Sequence, residues 1–75
     1  IERTDIMTLG NKIKKRREEL GLTQVELAAK AKVTQGYISR VEGNAFVPKA
    51  TTLMVLAISL DLAPNAFLNG ERRAS

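Results

Sequence analysis

Cysteine and histidine are both absent from this chain. Without thiols there is no disulfide staple and no thiolate metal site, and the eight carboxylates do not gather at metal-ligand spacings. The same absences leave little for catalysis. No nucleophile stands with a base beside it, and 75 residues hardly enclose a substrate pocket. An enzyme is therefore a poor reading, and nothing asks for a cofactor. Aromatic residues are scarce, with one tyrosine and two phenylalanines, so the core must be built from Leu, Ile, Val and Ala. No apolar run approaches the roughly 18 residues of a membrane span, and no signal-peptide pattern is present. The expectation is one soluble, cytoplasmic domain with no membrane partner, near the lower size limit for folding unaided.

What is present is positive charge, unevenly placed. The net charge is +4. Between Lys12 and Arg40 stand Lys12, Lys14, Lys15, Arg16, Arg17, Lys30, Lys32 and Arg40 against Glu18, Glu19 and Glu26. From Val41 to Glu71 the only base is Lys49, against Glu42, Asp61 and Glu71. Such a division suits a chain whose first half faces phosphates and whose second half faces protein. A plainer reading is a solvated basic face on the first helix.

The stretch Thr23 to Asn44 organises the rest. It holds two helix starts of the same construction. Thr23 is a good N-cap with Glu26 three residues on, the arrangement of a capping box. Leu22 and Leu27 have the spacing of a hydrophobic staple. At the second start the cap is Thr34, with Val33 and Ile38 as staple and Tyr37 in place of the acidic partner. A helix of about two turns, a short turn and a second short helix make a helix-turn-helix.

The flanking elements follow from similar signals. Residues 1–8 lack periodicity and read as an arm or a remnant, with Met7 a possible natural start. Thr8 can cap a first helix that runs to about Leu20 and stops at Gly21. On it Leu9, Ile13 and Leu20 share a face, while Arg16 and Arg17 flank the apolar stripe, so one of them must lie close to the core. Helix 2 spans Gln24 to about Ala31 and helix 3 spans Gln35 to about Glu42, with Ile38 and Val41 inward. The loop Asn44 to Pro48 carries Ala45, Phe46 and Val47, and Phe46 is expected to fold back over the core. Helix 4 is expected from Ala50 to Asp61, poorly capped by Lys49. Leu62 to Leu68 reads as a fifth short helix with Pro64 at its first position, closed by Asn69-Gly70, before a frayed tail at 71–75. The fold class is all-α, a compact bundle of five short helices over 9–70.

These residues resemble the phage-repressor and Cro type of helix-turn-helix domain, the XRE family, over roughly Leu9 to Gly70. The resemblance is carried by Ile13-x-x-x-Arg17-x-x-Leu20-Gly21-Leu22-Thr23-Gln24-x-x-Leu27-Ala28. It continues through Val33-Thr34-x-x-Tyr37-Ile38-Ser39-x-x-Glu42-Gly43 and Pro48-x-x-x-x-Leu53-x-x-Leu56-Ala57. It implies a lambda-repressor-like fold and a structural ion pair between Arg17 and Glu42, leaving Arg16 for phosphate or solvent. It also implies that helix 3 docks in the major groove of double-stranded DNA with helix 2 across the backbone. Carried over by position, Gln35, Tyr37, Ser39 and Arg40 are the base-reading candidates, because Gln can pair with adenine and Arg with guanine in a bidentate way. Thr23, Gln24, Thr34, Asn44, Lys49 and Arg16 are the phosphate candidates. For Gln35 the plainer role is a solvated helix start, and for Tyr37 a half-buried core ring.

Three departures from the family pattern matter. Gly36 stands where relatives place a base-reading side chain. Lys32 stands where a glycine makes the turn, at a cost of about 1 kcal/mol if the backbone is left-handed. Ala45-Phe46-Val47 replaces polar loop residues that would touch the backbone.

The function so implied is a sequence-specific DNA-binding transcriptional regulator, a repressor by type, acting as a homodimer on a two-fold symmetric operator. Leu62, Phe67 and Leu68 are the expected dimer surface, although Phe67 could equally be core. An antitoxin, a small phage-type repressor and the DNA-binding head of a longer regulator with a C-terminal sensing domain all fit. A different class is a helical protein-interaction module that has lost DNA binding, favoured by Gly36 and the apolar loop.

Overall fold

A computed structural model describes residues 8–68 of the chain. Four helices follow one another: α1 (Leu9–Glu19), α2 (Gln24–Ala31), α3 (Gln35–Glu42) and α4 (Ala50–Ser59). No strand occurs among the described residues.

The helix starts follow the threonines. Thr8 Oγ1 accepts from Asn11 N at 3.1 Å. Thr23 makes a complete capping box, its hydroxyl accepting from Glu26 N at 3.0 Å and its own N–H donating to Glu26 Oε1 at 2.8 Å. Thr34 accepts from Tyr37 N at 3.0 Å. Lys49 begins α4 with no side-chain cap.

The helix ends share one device. Gly21, Lys32, Asn44 and Asp61 follow α1 to α4 in the left-handed region, with φ of 73°, 60°, 62° and 61°. After each, the next amide reaches five residues back: Leu22 N to Arg17 O (3.0 Å), Val33 N to Ala28 O (2.9 Å), Ala45 N to Arg40 O (3.0 Å) and Leu62 N to Ala57 O (2.9 Å). These are Schellman closures, which satisfy carbonyls the helix leaves unpaired. Glycine meets no steric penalty there, and Asn and Asp tolerate the conformation. Lys32 has neither advantage.

The expected fifth helix is not formed. Residues 64–68 are turns, held by Ala66 N to Ala63 O (2.9 Å) and Leu68 N to Asn65 O (3.0 Å). Both bonds span three residues, the tighter 3₁₀ pattern. Seven residues with proline near the start offer too few bonds to repay helix nucleation. α4 likewise stops at Ser59, because the left-handed Asp61 turns the chain away. The proposed closure at Asn69-Gly70, the arm at 1–7 and the tail at 71–75 lie outside the described residues.

One core unites these pieces. Ile13, Leu27, Ile38, Val41, Leu56 and Leu60 are almost fully buried, joined by Ala28, Ala31, Leu53, Ala57 and Phe67. α2 packs on α3, α1 on α3, and α4 on α2. Gly10 marks a close crossing that no local sequence signal announces. A Cβ there would stand 2.5 Å from Val41 O and 2.7 Å from Glu42 O, so α1 can touch the end of α3 only without a side chain. Phe46 does not cover the core. It is 38% exposed and meets the Tyr37 ring edge-on, with centroids 5.3 Å apart and planes at 75°. This is the arrangement aromatic quadrupoles favour. Pro48 is the loop residue that turns inward.

Candidate nucleic-acid interface

α3 presents two unlike faces. Ile38 and Val41 are buried, while Gln35, Ser39 and Arg40 are exposed along the outer side. Tyr37 sits between them, half-buried against the core and covered at its edge by Phe46. Gly36 leaves an open position on this face. A Cβ there would meet only Arg40 Nη1, at 3.8 Å, so the guanidinium can lie along the helix over the missing side chain.

Beneath this surface lies a polar chain that runs from core to solvent. Arg17 Nε donates to Glu42 Oε2 at 2.6 Å and Nη2 to Glu42 Oε1 at 2.9 Å, a bidentate pair with side chains only 10% and 3% exposed. Arg17 Nη1 also donates to Leu22 O at 2.8 Å. The hydrogen bond to Glu42 pushes the guanidinium further above its already high pKa, against the opposing effect of burial. Gln24 Nε2 donates to Glu42 Oε1 at 3.1 Å, and Gln35 Nε2 donates to Gln24 Oε1 at 2.7 Å. The first residues of α2 and α3 are thus tied together and to the ion pair.

The remaining phosphate candidates divide. Thr23 and Thr34 spend hydroxyl lone pairs on their caps but keep an O–H to donate. Asn44 Oδ1 accepts from Gly10 N at 3.0 Å, which makes the side chain a clamp on the start of α1. Its amide N–H₂ is the part left for other partners. Lys49 is exposed. Arg16 is engaged in part: Nε donates to Leu60 O at 2.9 Å and Nη1 to Glu19 Oε1 at 3.4 Å, while the side chain keeps 30% of its surface exposed. A long side chain beside the core finds the open carbonyl that ends α4.

The candidate dimer surface also needs correction. Phe67 is 7% exposed and belongs to the core, because the turns at 64–68 swing its ring inward. Leu62 and Leu68 are half-buried against that core. Besides Val25, Phe46 and Val47, the large apolar side chains that face outward are Met54, Val55 and Ile58 on α4, a helix with no charged residue between Ala50 and Ser59.

A sequence model of the helix-turn-helix family HTH_3 matches residues 13–67. The chain belongs to that family. This helix-turn-helix chain is 37% identical over 65 residues to the immunity repressor protein of Bacillus phage phi105, covering 87% of this chain and 45% of the relative. It therefore spans about half the length of the curated relative it matches. Two solved structures are also similar. The crystal structure of the biofilm master regulator SinR in complex with DNA is 34% identical, with a TM-score of 0.74, covering 81% of this chain and 98% of that one. The P22 c2 repressor, crystallised with a synthetic operator, is 28% identical, with a TM-score of 0.77, covering 87% of this chain and 98% of that one. The fold is that of the lambda-repressor-like DNA-binding domains.

Proposed function

We propose that the chain is the double-stranded-DNA-reading head of a transcriptional regulator, a repressor by type, which lays α3 in the major groove. The observation that carries this reading is the outer face of α3. Gln35, Ser39 and Arg40 stand exposed on a helix fixed from behind by Ile38 and Val41. Gln35 offers the acceptor and donor that match adenine, and Arg40 the fork that matches guanine. Tyr37, half-covered, reads from the flank. Thr23, Gln24, Thr34, Asn44 and Lys49 surround that face with groups able to meet phosphate, and Lys12, Lys14 and Lys15 add exposed positive charge. The relatives that share the fold include proteins crystallised with DNA.

A single such head reads few base pairs, so the reading includes a homodimer on a two-fold symmetric operator, with half-sites about 34–36 Å apart. Leu62 and Leu68, extended by Met54, Val55 and Ile58, form the surface for the second copy. No helix of the described residues is long and apolar enough to cross a membrane. The working place is the cytoplasm, on the nucleoid, and the reading assigns no enzymatic activity. The same head would serve an immunity repressor, an antitoxin or a longer ligand-sensing regulator.

Selection of bound duplexes from a random pool, at low and moderate salt, tests this. The expected result is a two-fold symmetric consensus that weakens when Gln35 or Arg40 becomes alanine. Affinity should fall with salt at a slope of about −0.9 per phosphate contact. Failure to bind any duplex at low salt would reject the reading. It would move the α3 face, with the apolar Tyr37–Phe46 pair beside it, to a protein partner.

A further inference from the structure

A glycine inside a helix weakens it relative to alanine, so its presence calls for a reason. Gly10 has one in the crossing of α1 with the end of α3. Gly36 has none of that kind. It lies in the first turn of α3 with no positive φ, so its backbone suits any L-residue. Outside the adjacent residues and the helix backbone, the one atom a Cβ would meet within 4 Å is Arg40 Nη1, at 3.8 Å. That atom belongs to a side chain rooted four residues later, on the same face of the helix. The Arg40 side chain therefore runs back along α3 and lays its guanidinium over the position where Gly36 has no side chain. No carboxylate draws it there. α3 has no acid in its first turn, and no acidic side chain among the described residues pairs with Arg40. The guanidinium also lies toward the positive end of the helix dipole, where a cation is disfavoured. An acceptor from outside the chain would complete this arrangement.

We propose that Gly36 determines specificity through its missing side chain: the vacancy lets Arg40 read a guanine in the base pair next to the one read by Gln35. The proposal rests on the reading of α3 as a DNA-reading helix and adds to it which base pair Arg40 takes. The spacing follows from helix geometry. Arg40 is rooted five residues beyond Gln35, about 7.5 Å along the axis. That is about two base-pair steps of 3.4 Å. Folded over Gly36, the guanidinium comes level with the residue that directly follows Gln35, within a single step. Guanine carries two acceptors on its major-groove edge, O6 and N7, and the guanidinium fork matches them, while the Gln35 amide suits adenine. Two neighbouring base pairs are then read from one turn of helix. A long side chain at position 36 would take the place of the fork.

A size series at position 36 tests this. A Cβ alone would stand in ordinary contact with Nη1, whereas the longer side chain of Gly36→Gln displaces the guanidinium. Base preferences are taken from the affinities of single-substituted duplexes, and Gln35→Ala and Arg40→Ala identify the base pair each residue reads. In the DNA-free chain, the nuclear Overhauser contact between Arg40 Hε and the α-protons of Gly36 is measured. The native chain should show that contact, and the guanine assigned to Arg40 should directly neighbour the adenine assigned to Gln35. Gly36→Gln should cut discrimination for that guanine by at least about fivefold, the low end for a bidentate pair, with the adenine preference kept. Gly36→Ala should lose much less. Replacing that guanine by 7-deazaguanine, which lacks the N7 acceptor, should weaken binding of the native chain but not of Arg40→Ala. An equal loss in Gly36→Ala and Gly36→Gln would tie the effect to the backbone and overturn the proposal. So would base pairs that are not neighbours, or a missing Arg40–Gly36 contact. Arg40→Ala weakening all duplexes equally would make Arg40 a phosphate contact and overturn it too. If the native chain shows the contact yet selects no sequence, it is the DNA-reading proposal that fails, and the role given to Gly36 falls with it.

Discussion

The helix-turn-helix, α2 and α3, and the segment from α4 to Leu68 are built by different physics. In the first, both helices begin at a threonine side-chain cap, so local hydrogen bonds define their starts, whereas the left-handed closure is common to all four helix ends. The Arg17–Glu42–Gln24–Gln35 chain then adds directional bonds across elements. The second segment has no side-chain cap at its start, no charge within α4 and only turns beyond it. It is held by Leu53, Leu56, Ala57, Leu60 and Phe67, which is to say by burial. Directional bonds fix orientation where side chains have to be aimed. Non-directional burial suffices where a segment only has to close the core.

Substitutions can break or sharpen this contrast. The largest effect is expected from Glu42→Ala, which strands the Arg17 charge in a nearly closed site. Loss of about 3–5 kcal/mol follows, enough to leave a domain of this size largely unfolded, as a urea titration would show. Phe67→Ala should cost about 3–5 kcal/mol as well, although its residue lies among turns. A loss below about 1 kcal/mol in the same titration would mean that the second segment is not a working part of the core.

The caps separate the two halves more finely. Thr23→Ala should destabilise by about 1 kcal/mol, while Lys49→Ser should stabilise by a similar amount. Each is readable as a Tm change of about 4–8 °C in opposite directions. Equal and negligible shifts would erase the distinction between a locally specified half and a burial-held one. The smallest effect is expected at the turn between α2 and α3. Lys32→Gly relieves left-handed strain of about 1 kcal/mol, partly offset by the freedom glycine adds to the unfolded chain. A small net gain in Tm is the expected outcome.

The same contrast explains what could be read from the amino acids alone. The starts at Thr8, Thr23 and Thr34 and the stop at Gly21 are each signalled by a few neighbouring residues, and they needed no tertiary knowledge. Lys32 was visible as a departure only through the family resemblance, whose pattern has glycine at that turn. The fifth helix was misread because Pro64 marks a start without ensuring enough residues to propagate a helix. The Arg16 bond was not legible because its partner, Leu60 O, is 44 residues away and exists only once α4 ends where it does. Gly10 gave no local sign that it lay at a helix crossing. The Gln24–Gln35 bond escaped notice although both residues directly follow their caps, a repeated position that could have suggested the pairing. Phe46 was expected over the core and lies at the surface, while Phe67, for which surface and core both stood open, is core, since an apolar residue in a loop or a short tail can satisfy either environment.

Tyr37 carries a practical consequence. It is the only tyrosine, and the chain has no tryptophan. Near-ultraviolet emission from this chain is therefore dominated by one ring, on the flank of the α3 outer face and in edge contact with Phe46. Quenching or polarisation of that emission gives a label-free titration of whatever α3 meets.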